Sequence, residues 1–150
     1  LAQYNAGADI VHAAAGRTGI GAFDAAIEKG EGFWVISADR DQAELGEDFQ
    51  LAAVAKGIDT GMYESIKSVV DDNFEPGTHN LTIADDGVRL AAVHASVPEE
   101  TLAIIEAYRA AIANGEIVPP VDDDTLASFE LVAPDAIPGA EASPDASPAS

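Results

Sequence analysis

The residues able to do chemistry in this sequence recur at one kind of place, the carboxyl end of a short apolar run. His12 stands near the end of ADIVHAAA, Gly16, Thr18 and Gly19 lie in the turn GRTGIG, Asp39 follows FWVISA, and Lys56 closes LAAVAK. In an open α/β sheet, ligands sit outside the carboxyl ends of the strands. A carboxylate at position 39 can accept two hydrogen bonds from vicinal hydroxyls such as those of a ribose. Lys56 can donate to a ligand hydroxyl or pair with Asp39. The glycine turn lets a ligand approach the backbone, with Thr18 placed as N-cap of the helix after it. His12 can stack on a flat ligand or serve as a satisfied core residue. Each position also has a plain counterpart: a tight strand-to-helix turn, a solvated lysine, a turn-capping acid such as Asp41.

Other chemistries are poorly supported. The glycine order at 16–21 is GxxGxG, not the dinucleotide fingerprint GxGxxG, although Asp39 imitates the ribose-binding acid of such a unit. A Rossmann-like nucleotide-dependent enzyme domain is therefore the alternative reading. No GxSxG, P-loop or HExxH is present, so no catalytic nucleophile is assigned. The chain has no cysteine, and His12, His79 and His94 are too widely spaced for a ligand pattern, so neither metal nor cofactor is expected. Acidic residues number 27 against 7 basic, a net charge of -20. Such a chain neutralises no phosphate backbone, which argues against nucleic acid as partner. Like charges at this density repel, and concentrated salt screens them. Adaptation to high salt, as in halophiles, is the simplest account.

The elements that must position these residues alternate between β and α. Residues 1–5 read as a helix end stopped by Gly7, and 9–14 as a short strand. Helical spacing of Ile20, Phe23, Ala26 and Ile27 predicts a helix over 18–29, ended by Gly30. Strands are expected at 33–38 and 51–55, separated by a loop with a short helix over 42–49. Ile58, Met62, Ile66, Val69 and Val70 form one face of a helix between Gly57 and Asn73. A weak strand is expected at 79–84, and strand or loop at 88–93. Pro98 opens a helix whose apolar face carries Leu102, Ile105, Ala110 and Ile112, closed by Gly115. A last strand is expected around 126–132. Pro134 onward is Pro, Ala, Ser and acid, the composition of a disordered tail. The order of elements predicts an α/β fold with a parallel sheet and flanking helices.

These motifs together resemble the basic membrane protein family of ABC-transporter substrate-binding lipoproteins, which includes purine nucleoside receptors. The segments that carry the likeness are GADIVHAAAGRTGIGAFDAA at 7–26, WVISADRDQ at 34–42 and LAAVAKGIDTGMYESI at 51–66, with DDGVRLA at 85–91 and VPEETLAIIEAYRAAIANGEIVPP at 97–120. The resemblance implies a type I periplasmic-binding-protein fold. Residues 1–56 would form the ligand-binding unit of the C-terminal lobe, 57–133 a hinge-crossing helix and closing elements that return to the N-terminal lobe, and 134–150 the tail. It places the ribose-binding aspartate on Asp39, the ligand-contacting lysine on Lys56, the ligand-facing turn on Gly16, Thr18 and Gly19, and the base-stacking ring on His12. Arg17 stands where the pattern has a small residue, and His12 where it has phenylalanine. The function implied is capture of a purine nucleoside without catalysis, and delivery to ABC permease subunits. The protein would be an extracytoplasmic lipoprotein held at the membrane by a lipid on a missing N-terminus, and the charge balance adds the expectation of a haloarchaeal source.

Overall fold

The computed structural model describes residues 1–137, which separate into two compact units, Leu1–Ser96 and the part that starts at Val97. In the first unit α1 (Ala2–Asn5), β1 (Ile10–His12), α2 (Ile20–Lys29), β2 (Trp34–Asp39), β3 (Gln50–Lys56), α3 (Ile58–Val70) and β4 (Val88–Ala91) come in that order. The sheet order is β1-β2-β3-β4. The first three strands are parallel, with Val11 opposite Val35 and Ala38 opposite Val54. β4 runs antiparallel and sets Val88 opposite Lys56. An antiparallel edge strand on a parallel sheet is common, but the sequence carries no mark of its direction.

Helix ends obey local chemistry. Gly7, at φ 103°, closes α1, with Gly7 N donating to Tyr4 O and Ala8 N to Gln3 O, the paired bonds of a Schellman cap. Thr18 is not the N-cap expected of α2. A 3-10 turn over Gly16–Gly19 precedes that helix, and the Thr18 hydroxyl donates to Ala15 O within the turn. The core gathers Tyr4, Phe23, Ala25, Ala26 and Val35 between the first two helices and the sheet. Tyr4 meets Phe33 edge to face at 5.4 Å, and its hydroxyl donates to Trp34 O at 2.8 Å. Alanines at 52, 53 and 55 fill β3, so this core is small for its length.

The expected strand at 79–84 is absent. Thr82 N and Oγ1 both donate to the Asp85 carboxylate, and Asp85 N and Gly87 N donate to Thr82 O. A turn built on its own side chains consumes the donors a strand ladder would need. The turn returns the chain under α3, where Arg89 of β4 grips both Asp59 oxygens at 2.9 Å. The face of α3 predicted from sequence exists but is uncovered: Ile58, Met62, Ile66, Val69 and Val70 are all exposed.

In the second unit α4 (Glu99–Ala113) starts directly after Pro98 and ends before Gly115, at φ 76°. Its inward stripe is Ile104, Ala107, Tyr108 and Ala111, packed with Ile117, Phe129 and Val132. Ala110, expected inside, is exposed. The last expected strand is replaced by α5 (Asp123–Ser128). Asp122 accepts from Thr125 N, and Thr125 Oγ1 accepts from Asp122 N, a capping box that sets the helix start. Pro134–Ala136 form a 3-10 turn and Ile137 is buried, so these four residues do not belong to an unpacked tail. The rest of that stretch lies outside the described residues.

Candidate ligand-binding site

The parallel register brings the ends of β1, β2 and β3 to one edge. Asp39 ends β2 opposite Ala55, one residue before Lys56 ends β3. The two side chains meet, Lys56 Nζ to Asp39 Oδ1 at 2.8 Å. They remain 64% and 48% exposed, so water screens the pair and it adds little to stability. Its hydrogen-bonding capacity is accessible to a ligand. Asp39 has φ 71°, the left-handed region that short polar side chains tolerate better than most.

A cleft of about 370 Å³ is lined by His12, Gly16, Asp39 and Lys56, with Val54 and Val88 as its apolar part. Four of the six residues singled out from sequence thus share one concavity. His12 is exposed and is not a core residue. Its Nδ1 lies 3.1 Å from Ile36 O. A carbonyl only accepts, so Nδ1 is the donor in this contact. Gly16, at φ 53°, turns the chain away from β1 and keeps the cleft open. Thr18 and Gly19 do not line it. Gly19 is buried, and a Cβ there would stand 3.2 Å from Ala13 O, so it serves close packing of the turn on β1.

The loop that carries Asp39 is held by a buried network that sequence reasoning misses. Gln50, at the start of β3, and Ser37, inside β2, are 3% and 1% exposed. Gln50 Oε1 accepts from Ser37 Oγ at 2.9 Å and from Gln42 N at 3.0 Å, while Nε2 donates to Asp41 Oδ1 at 2.7 Å. Asp41 Oδ1 also accepts from Ala43 N, the turn cap expected of it. These donations, first from Gln50 and then from Ala43, hold the Asp41 carboxyl below its ordinary range. Gln42 Nε2 donates back to Ala38 O. Val88 escapes a sequence reading too, because only the antiparallel register of β4 sets it across from Lys56.

No three metal-ligating side chains converge among the described residues, and no described helix is long and apolar enough to cross a membrane. The profile of a family described as Bmp, ABC transporter substrate-binding protein PnrA-like, matches residues 1–123. The chain is similar to basic membrane protein B of Borreliella afzelii, 34% identical over 131 residues, which cover 85% of this chain and 36% of that protein. It is similar to basic membrane protein D of Borreliella burgdorferi, 30% identical across 86% of this chain and 39% of the relative. The chain therefore spans little more than a third of the length of these curated relatives. Two crystal structures share the fold. One is a transcriptional activator of the comK gene from Bacillus halodurans, with TM-score 0.69 and 19% identity over 79% of this chain and 41% of that one. The other is an ABC transporter solute-binding protein from Aeropyrum pernix, with TM-score 0.66 and 21% identity over 85% and 45%.

Proposed function

The chain belongs to the family of PnrA-like ABC transporter substrate-binding proteins, and from that premise we propose that it forms one lobe of a two-lobed receptor that captures a nucleoside for an ABC importer. The observation that carries the reading is the pairing of Asp39 with Lys56 across adjacent strand ends, in a cleft also lined by His12 and Gly16. The Asp39 carboxylate can accept from one ribose hydroxyl while the Lys56 ammonium donates to its neighbour, by charge-assisted bonds on both sides. The volume of about 370 Å³ lies at the low end for a small-molecule site, as half of a cleft should. The His12 ring offers a face to the base. Thr18 and Gly19 shape the turn from behind.

The uncovered apolar face of α3 supports a role for that helix in meeting an N-terminal lobe, whereas β4 stays with the sheet of the first unit, so the expected division at residue 57 does not hold for it. Lobe closure would dehydrate the Asp39–Lys56 pair and strengthen its bonds to the ligand. The ABC permease is then the docking partner, outside the cytoplasm, with a lipid anchor preceding the N-terminal lobe. The net charge of -20 suits a medium of high salt; the name of the relatives calls them basic, and this chain is the reverse.

Calorimetry with inosine, guanosine and adenosine on the full-length protein and its Asp39→Ala variant tests the site. Two charge-assisted hydrogen bonds at about 1.5 kcal/mol or more each predict a loss of about a hundredfold or greater. Equal affinity of the variant for every nucleoside would overturn the reading.

A further inference from the structure

A second concavity of about 380 Å³ adjoins the first, sharing Gly16, Ala38 and Asp39 with it. Arg17, Arg40 and Gln42 line it. The chain has 7 basic residues in all, and three of them, Arg17, Arg40 and Lys56, border these two contiguous spaces. Arg40 is held in place, with Nη1 donating to Asp41 O at 2.7 Å and Nη2 at 2.6 Å from Glu44 Oε1. Arg17 has no hydrogen-bond or ion-pair partner among the described residues, in a chain with 27 carboxylate side chains. Arg17 is exposed on the wall of this concavity, where its guanidinium is open to an anion from solvent.

We propose that Arg17 and Arg40 form an anion subsite next to the Asp39–Lys56 pair, so that the ligand is a phosphorylated polyol, and a nucleoside 5′-monophosphate where the polyol is ribose. The inference rests on the nucleoside reading above and adds the charge of the ligand to it. Asp39 does not repel such a ligand, because Lys56 already faces its carboxylate at 2.8 Å. The planar fork of Arg17 matches two oxygens of a phosphate at once. Both clefts meet at Gly16 and Asp39, so hydroxyls bound at Asp39 leave an attached phosphate within the Arg17 side of the site. Arg17 occupies the glycine turn itself, next to the Gly16 that both concavities share.

Calorimetry on the full-length protein, with inosine, guanosine, their 5′-monophosphates and inorganic phosphate, tests the proposal. The monophosphates are expected to bind more tightly than the parent nucleosides by about tenfold, the effect of one added charge-assisted bond. Arg17→Gln and Arg40→Gln together are expected to remove that preference, and Arg17→Lys to retain part of it. Nucleosides binding as tightly as or more tightly than their monophosphates would overturn the anion subsite and leave the nucleoside reading standing. A monophosphate preference that survives in the double variant would overturn the assignment to these arginines. No binding of either class would overturn both.

Discussion

Replacing Gln50 by leucine should loosen the candidate site from beneath without touching it. Leucine matches the volume of Gln50 but offers no polar atom. Gln42 N then loses the acceptor it has at 3.0 Å, and Asp41 loses the donor at 2.7 Å. Ser37, 1% exposed, keeps only Arg40 O at 3.1 Å for its hydroxyl hydrogen. A buried donor left without a partner costs about 1–3 kcal/mol. Ser37 retains an alternative and Asp41 faces water, so the total should be about 2–3 kcal/mol. For a cooperative unit the size of Leu1–Ser96, each kcal/mol lowers Tm by about 4–8 °C, so the fall should be about 10–20 °C. Thermal unfolding monitored by circular dichroism reads this directly. The double variant Ser37→Ala with Gln50→Leu should lose less than the sum of the singles, because removing both partners leaves fewer orphaned groups. A fall in Tm under about 3 °C, or strict additivity of the two changes, would refute the idea that this network fixes the loop bearing Asp39.

Gly57 joins β3 to α3 with its N–H donating to Gly87 O at 2.8 Å, and a Cβ there would lie 2.3 Å from Asp86 O. Gly57→Ala must therefore push backbone against backbone, with an expected loss of about 2–3 kcal/mol in urea unfolding; a midpoint equal to wild type would rule out so close an approach. The lowered Asp41 carboxyl gives a pH signature. Its folded value lies below its unfolded value, so its contribution is present above about pH 4 and lost as pH falls through the folded value. Asp41→Asn should flatten the acid side of the stability profile relative to wild type, and parallel profiles below pH 4 would contradict the assignment.

Much of the first unit is legible in the sequence because its signals are local and redundant. Glycines 7, 30 and 115 stop helices with positive φ as their positions suggest. The apolar runs ending at His12, Asp39 and Lys56 become parallel strands whose ends converge. The failures share a cause. Thr82 with Asp85, and Asp122 with Thr125, are short-range side-chain bonds that outweigh the weak strand patterns around them. In α4 the alanines at 107, 110, 111 and 113 give almost no contrast between faces, so periodicity picks Ala110 where Ala111 is the buried residue, while Ile112 packs inward as expected. Gln50 and Ser37 look like unremarkable polar residues flanking or interrupting apolar runs. Nothing in their spacing announces that each is the other's buried partner. The apolar face of α3 is a face, as its periodicity predicts, but its cover is not among the described residues.

The left-handed backbone at Asp39 also bears on how this position can drift over evolutionary time. A single base change in an aspartate codon reaches Asn, Gly, Ala, Val, Glu, His or Tyr. Only Gly and Asn adopt that conformation at small cost, while the β-branched Val is strained there whatever happens at the ligand. Under the proposed role of Asp39, escape from the ligand is thus channelled by the main chain. Lineages that abandon it should pass through glycine or asparagine with the fold intact, and asparagine keeps a carbonyl acceptor while dropping the charge that Lys56 answers. New ligand preferences in such proteins would begin from a small set of residues chosen by torsion angle before any selection on binding.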